Sequence, residues 1–124
     1  MPMPRILIVE DDTKTRKYTD IFWQRDGYKP DWAISAEDAK QKIKYGNYDY
    51  VISDVNMPIE TGSDLAKYLR KEYPEILVYL TSAVPEIQTY ASVYEKNCCD
   101  GFIEKPLYPF KFEEKAGIKA RACA

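Results

Sequence analysis

The apolar positions change period repeatedly along this chain. Ile6-Leu7-Ile8-Val9 is an unbroken apolar run stopped by Glu10-Asp11-Asp12. A short run that is apolar on both faces suits a strand buried in a parallel sheet. Residues 13–26 read as a helix, with Tyr18, Ile21, Phe22 and Arg25 at helical spacing and Gly27 as the stop. Tyr28 to Ile34 reads as a weaker second strand, and Pro30 predicts an edge position. Ser35 and Asp38 look like the cap and first turn of a second helix, with Ala36, Ala39 and Ile43 as its stripe and Gly46 as its end. Tyr48 to Ser53 contains a third strand, with Asp54 at its carboxyl end. Pro58 and Gly62 make residues 55–62 a loop. Ser63 is the predicted cap of a third helix, where Leu65, Ala66, Leu69 and Tyr73 share a face and Pro74 is the stop. Ile76 to Leu80 is a fourth strand, running into Thr81-Ser82-Ala83. Pro85 and Glu86 open a fourth helix, with Ile87, Tyr90, Ala91 and Tyr94 on one stripe. Gly101-Phe102-Ile103 is a short fifth strand ahead of Lys105-Pro106. A fifth helix follows by elimination. Gly117 weakens it, and Phe110, Phe112 and Ile118 make no single stripe.

Five strand–helix alternations predict an α/β domain: a parallel sheet with helices on both faces. Ligands of such open sheets sit outside the carboxyl ends of the strands. That rule selects Glu10, Asp11 and Asp12 after the first strand and Asp54 after the third. It adds Thr81 and Ser82 after the fourth and Lys105 after the fifth. These residues are far apart in sequence and are expected to converge on one rim.

Composition narrows the chemistry. The 124 residues suit one domain, 1–124, with a core over about 5–120. Lys and Arg total 18 against 20 Asp and Glu, a net charge of −2, which gives no electrostatic case for nucleic acid or an anionic membrane. Histidine is absent, so neither Ser-His-Asp nor Cys-His catalysis can occur, nor can phosphohistidine form on this chain. Cys98, Cys99 and Cys123 have neither disulfide nor zinc spacing and read as small hydrophobes in a reducing compartment. No signal-peptide core and no membrane-length apolar run is seen, so a cytoplasmic location is expected.

Several converging carboxylates repel one another and stay ionised only around a cation. Hard oxygen donors suit Mg²⁺, and no soft ligand is placed to favour zinc. A carboxylate nucleophile, a divalent metal, a hydroxyl and a lysine together suit phosphoryl transfer, with an aspartyl phosphate as product.

Glu10-Asp11-Asp12, Asp54-Val55-Asn56-Met57-Pro58 with Gly62, Thr81-Ser82-Ala83 and Lys105-Pro106 together resemble the receiver domain of bacterial two-component response regulators, chemotaxis regulators included. The resemblance spans residues 5 to about 112. It implies a flavodoxin-like, doubly wound sheet in the order 2-1-3-4-5. It also implies that Asp54 is the phosphoacceptor and that Glu10 and Asp11 bind the metal with Asp54, Asp11 being the more direct ligand. Asn56 would add its backbone carbonyl to the metal. Lys105 would pair with the acceptor and then with the phosphoryl group, and the Lys105–Pro106 bond would be cis. Phe102 stands at the aromatic switch position. The switch hydroxyl is expected at Ser82, with Thr81 as the other candidate, since strand alternation lets only one face the site. Asp12 reads instead as the cap of the first helix.

The resemblance implies a phosphorylation switch rather than an enzyme with a turned-over substrate, although such a domain takes part in its own phosphorylation and dephosphorylation. A histidine kinase or phosphotransfer protein would donate the phosphoryl group. The output surface would be helix 4, strand 5 and helix 5, where Tyr90, Tyr94 and Tyr108 lie. It would serve a downstream protein, an effector domain or a homodimer. Two alternatives use the same residues: a haloacid-dehalogenase-type phosphatase, and an unphosphorylated scaffold of the receiver fold. The phosphatase nucleophile belongs in an Asp-x-Asp after the first strand, where this chain has Glu10-Asp11-Asp12.

Overall fold

The computed structural model describes residues 3–83 and 99–118. Its elements are β1 (Ile6–Val9), α1 (Thr13–Arg25), β2 (Asp31–Ala33), α2 (Ala36–Tyr45), β3 (Tyr50–Asp54), α3 (Gly62–Glu72), β4 (Leu77–Ser82), β5 (Gly101–Glu104) and α4 (Pro109–Ala116). The helix called α4 here is the predicted fifth one. The predicted fourth helix, with Tyr90 and Tyr94, lies outside the described residues, as do Cys98 and Cys123. All pairings are parallel and the strand order is β2-β1-β3-β4-β5. Among the described residues no helix is long and apolar enough to cross a membrane.

Alternation along the strands divides the core in two. Leu7, Val9, Val51, Val78 and Leu80 face Ala36, Ala39 and Ile43 of α2 and Leu65, Ala66 and Leu69 of α3. Ile6, Ile8, Ile52, Tyr79 and Ile103 face Trp23 of α1, Tyr28 and Phe112 of α4. Both faces of the strands are therefore apolar, which is why they read as continuous runs rather than as alternation.

Several local expectations are corrected. In α1, Tyr18 and Ile21 are exposed, and the buried residues are Thr19 and Trp23. The helix carries two apolar stripes, and the one ending in Trp23 faces the sheet. The second strand is limited to Asp31–Ala33; Tyr28 instead packs in the core and donates its hydroxyl to Glu113. It is an edge strand, as Pro30 predicted. Thr61, not Ser63, caps α3: its hydroxyl accepts from the Asp64 amide while the Asp64 carboxylate accepts from the Thr61 amide. That reciprocal pair satisfies two orphan donors at once and outcompetes a single serine cap. Gly117 terminates α4 in the left-handed region, φ 71°, rather than weakening it. Phe112 points into the core, with Pro109 and Glu113 buried beside it; Phe110 is exposed and Ile118 lies beyond the helix end. Asp12 and Ser35 cap α1 and α2 as expected, with side chains accepting from Thr15 and Asp38 amides.

Candidate functional site

The rim forms where β1, β3 and β5 end. The run Ile6–Val9 pairs with both β2 and β3, so Glu10 emerges at the middle of the sheet. Glu10 is buried, and its Oε2 accepts from the Asp12 amide at 3.0 Å. Asp54, the last residue of β3, is also buried; its Oδ1 accepts from the Asn56 amide at 3.0 Å. Lys105 follows β5, its amide bonded to the Ser82 carbonyl at 3.0 Å. Its ammonium lies 2.8 Å from both Glu10 Oε1 and Asp54 Oδ2. The Lys105–Pro106 bond is cis.

Asp11 is exposed at the mouth of this arrangement. Glu10, Asp11 and Asp54 each offer a carboxylate oxygen, all within 4.8 Å of one another. Partial desolvation at the mouth, the hydrogen bond to Glu10 and the Glu10 charge raise the Asp11 pKa above the usual carboxylate value, against lowering by backbone bonding and Lys105. Burial depresses the Lys105 ammonium, but its bonds to Asp54 and Glu10 outweigh that, and its pKa is raised. Bonds from the Thr15 hydroxyl and amide lower the Asp12 pKa, which fits a cap. The donor set fits a hard divalent cation: three carboxylates in one place, with one ammonium among them in the described residues.

Sheet alternation separates the two candidate hydroxyls. Leu80 and Phe102 pack in the α2–α3 core, Tyr79 and Ile103 in the α1–α4 core. Ser82, two residues after Leu80, therefore shares the face of Phe102, while Thr81 lies on the opposite face, paired with Asp54 in register. Both are buried. Thr81 lines a cavity of about 560 Å³ beside Lys105, bounded by Thr15 and Thr19 of α1, Trp32 and Leu107.

Arg16 is a residue that motif reading missed. Its guanidinium donates to the Glu10 carbonyl at 2.9 Å, the Asp11 carbonyl at 3.0 Å and Thr13 Oγ1 at 3.1 Å. It thus clamps the backbone that carries both acids. The signal was present: a cation in the early part of a helix opposes the dipole preference and calls for a specific partner.

The chain matches the family model of the response regulator receiver domain over residues 6–116. The Aerobic respiration control protein ArcA of Escherichia coli K12 is 30% identical over 109 residues, covering 88% of this chain and 45% of that protein. The DNA-binding transcriptional regulator NtrC of Rhizobium meliloti is 32% identical, covering 96% of this chain and 24% of that one. The chain thus spans less than half the length of these relatives. Among solved structures, response regulator TrrA of Thermotoga maritima, described in complex with Mg²⁺ and BeF, is 31% identical with a TM-score of 0.80, over 93% of this chain and 97% of that one. The chemotaxis response regulator CheY4 of Vibrio cholerae is 25% identical with a TM-score of 0.74, over 94% and 98%. With its five parallel strands in the order 2-1-3-4-5 and its acidic rim facing one lysine, the chain belongs to the family of two-component response regulator receiver domains, phosphoacceptor switches by general role.

Proposed function

We propose that Asp54 is the residue that accepts the phosphoryl group. The observation that carries this is the convergence of Asp54 with Lys105, Glu10 and Asp11 from three strand ends. An Asp54 carboxylate oxygen attacks the phosphorus of a phosphohistidine on a partner kinase or phosphotransfer protein. The P–O bond forms as the P–N bond breaks, and the imidazole leaves, taking up a proton. Lys105 is placed to exchange its carboxylate contacts for the new phosphoryl oxygens. Glu10, Asp11, Asp54 and the Asn56 carbonyl would hold Mg²⁺, which supplies charge neutralisation when bound. The same groups would assist hydrolysis of the aspartyl phosphate by water, so the chain takes part in its own phosphorylation and dephosphorylation.

Of the two candidate hydroxyls Thr81 is the better placed, being in register with Asp54 and on its sheet face beside Lys105, whereas Ser82 shares the opposite face with Phe102. The Thr81 hydroxyl would move toward the phosphoryl oxygens, and Phe102 would remain the aromatic member of the switch. Moving such an equilibrium from 1:99 to 99:1 takes about 5.5 kcal/mol of differential interaction, within reach of a few charge-assisted bonds. The output would pass through β5 and α4, together with the helix predicted ahead of β5. It would reach a downstream protein, an effector domain or a second copy of the chain. Residues 1–124 would act as one receiver domain in the cytoplasm.

The test is exposure to acetyl phosphate, and separately to beryllofluoride, with Mg²⁺. Mass gain and a spectral change are expected in the parent and absent in Asp54→Asn. Mg²⁺ binding without phosphoryl uptake would favour the scaffold reading, and steady turnover of a phosphomonoester would favour a phosphatase.

A further inference from the structure

The Lys105 ammonium can serve two carboxylates only if the turn that carries it is fixed. On one side the Lys105 amide is anchored to the Ser82 carbonyl. On the other side stands Pro106, which has no amide hydrogen to offer. The Pro106 carbonyl accepts from the Tyr108 amide at 3.0 Å within the turn, and the next anchor to another element is the Leu107 carbonyl, which accepts from Trp23 Nε1 at 2.9 Å. Trp23 lies on α1, 84 residues earlier, and is 0% exposed. Its ring packs on Tyr28 with centroids 5.1 Å apart and on Phe112 at 5.6 Å, so the indole is held in orientation. A fully buried indole N–H is costly without a partner, and here that partner is two residues past the site lysine.

We propose that Trp23 is a positioning residue for phosphoryl transfer: its indole N–H fixes the Leu107 carbonyl and thereby aims the Lys105 ammonium at Asp54. This rests on the reading of Asp54 as the acceptor. Trp23 acts through the main chain of residues 105–107. A separate bond, from the Tyr28 hydroxyl to Glu113, ties the same aromatic group to α4. The packing of α1 against α4 therefore does not depend on the indole N–H alone.

Trp23→Phe keeps an aromatic ring in place and deletes the donor. A companion protein carries β-(3-benzothienyl)alanine at position 23 in a Trp32→Phe background, which keeps the bicyclic shape and exchanges N–H for sulfur; Trp32→Phe alone is its control. The full chain is read by its rate of phosphorylation by acetyl phosphate, its Mg²⁺ dissociation constant and the NMR signal of the Lys105 ε-methylene. In both proteins the rate is expected to fall about three- to tenfold. The Mg²⁺ dissociation constant should not rise, since the proposal leaves Glu10, Asp11 and Asp54 in place and loosens only the ammonium that competes for two of them. The Lys105 signal should move. An unchanged rate in folded variants overturns the proposal. So does an equal fall in rate and Mg²⁺ affinity, which is the mark of general loosening. If the parent takes up no phosphoryl group, the acceptor reading fails on its own. The Lys105 signal then decides: unmoved in both proteins, it overturns the positioning role, and moved, it supports it.

Discussion

Lys105 holds Glu10 and Asp54 together, its ammonium 2.8 Å from an oxygen of each. One cation thus joins residues that follow β1 and end β3. Both carboxylates are buried, at 5% and 8% exposure, so neither can turn to water when the cation is lost. Lys105→Met is therefore expected to cost about 2–4 kcal/mol in metal-free denaturant unfolding. The same change removes the competitor for those oxygens, so Mg²⁺ should bind more tightly. Phosphorylation should slow about a hundredfold, since the charge that meets the phosphoryl oxygens is gone. Calorimetry with and without Mg²⁺ checks the first two effects. Unchanged Mg²⁺ affinity would contradict the idea that ammonium and metal share these carboxylates.

Asp11 behaves in the opposite sense. Partial desolvation and the neighbouring Glu10 raise its pKa in the folded chain. A raised value means that its contribution to stability is present below the unfolded pKa and is lost as pH rises through the folded one. Ionised Asp11 thus opposes the metal-free fold at neutral pH. Asp11→Asn should melt above the parent at pH 7 without Mg²⁺, with the gap closing below about pH 4. Adding Mg²⁺ should raise the parent's melting temperature more than the variant's. A variant that melts lower at pH 7 would contradict this assignment.

The residues at the strand ends were legible in the sequence because parallel topology forces those ends together. Glu10, Asp11, Asp54 and Lys105 needed only the strand order to be brought to one rim. The order itself came from resemblance, since alternation alone does not choose among parallel orders. Helix faces were less legible. In α1 the inward stripe includes Thr19, while Tyr18 and Ile21 look more apolar and face water. Hydrophobic spacing cannot rank two stripes when a polar residue lies on the buried one. Trp23 and Arg16 were missed for a different reason. Trp23 acts on a main-chain carbonyl 84 residues away, and Arg16 on the carbonyls of Glu10 and Asp11. Side-chain motifs record neither kind of contact.

Tyr48 gives the fold an alkaline limit away from the site. Its hydroxyl donates to Asp31 at 2.6 Å. Burial, then this bond and the Asp31 charge, push its pKa up to about 12, with Arg5 acting the other way. The folded value lies above the unfolded one, so the stabilisation is complete below about pH 10 and is lost as pH rises through about 12. Other tyrosines titrate in the same range, so the useful quantity is the difference between parent and Tyr48→Phe. That difference in unfolding free energy should shrink steadily from pH 10 to pH 12. A constant difference across the window would show that Tyr48 ionises alike in the folded and unfolded chains.

Gly62 connects the start of α3 to Asp54, the proposed acceptor. Its amide bonds the Val55 carbonyl at 3.0 Å, which brings the helix onto the backbone just after Asp54. A Cβ at this position would lie 2.1 Å from the Asp54 carbonyl oxygen and 2.8 Å from the carbonyl carbon. Those are main-chain atoms and cannot swing aside as a side-chain tip could. Gly62→Ala must therefore displace either α3 or the Asp54–Val55 backbone, at an expected cost of about 2–4 kcal/mol. Leu69→Ala is the proper comparison: Leu69 is buried on the same helix, and its truncation should cost about 2–5 kcal/mol. Both variants are compared as folded protein at low temperature, by phosphorylation rate with acetyl phosphate. Leu69→Ala should retain a near-parental rate, because the cavity it opens is in the α2–α3 core. Gly62→Ala should lose at least about tenfold, because it moves Asp54, the proposed acceptor. Equal rates in the two variants would separate the glycine's role in the fold from any role in placing Asp54.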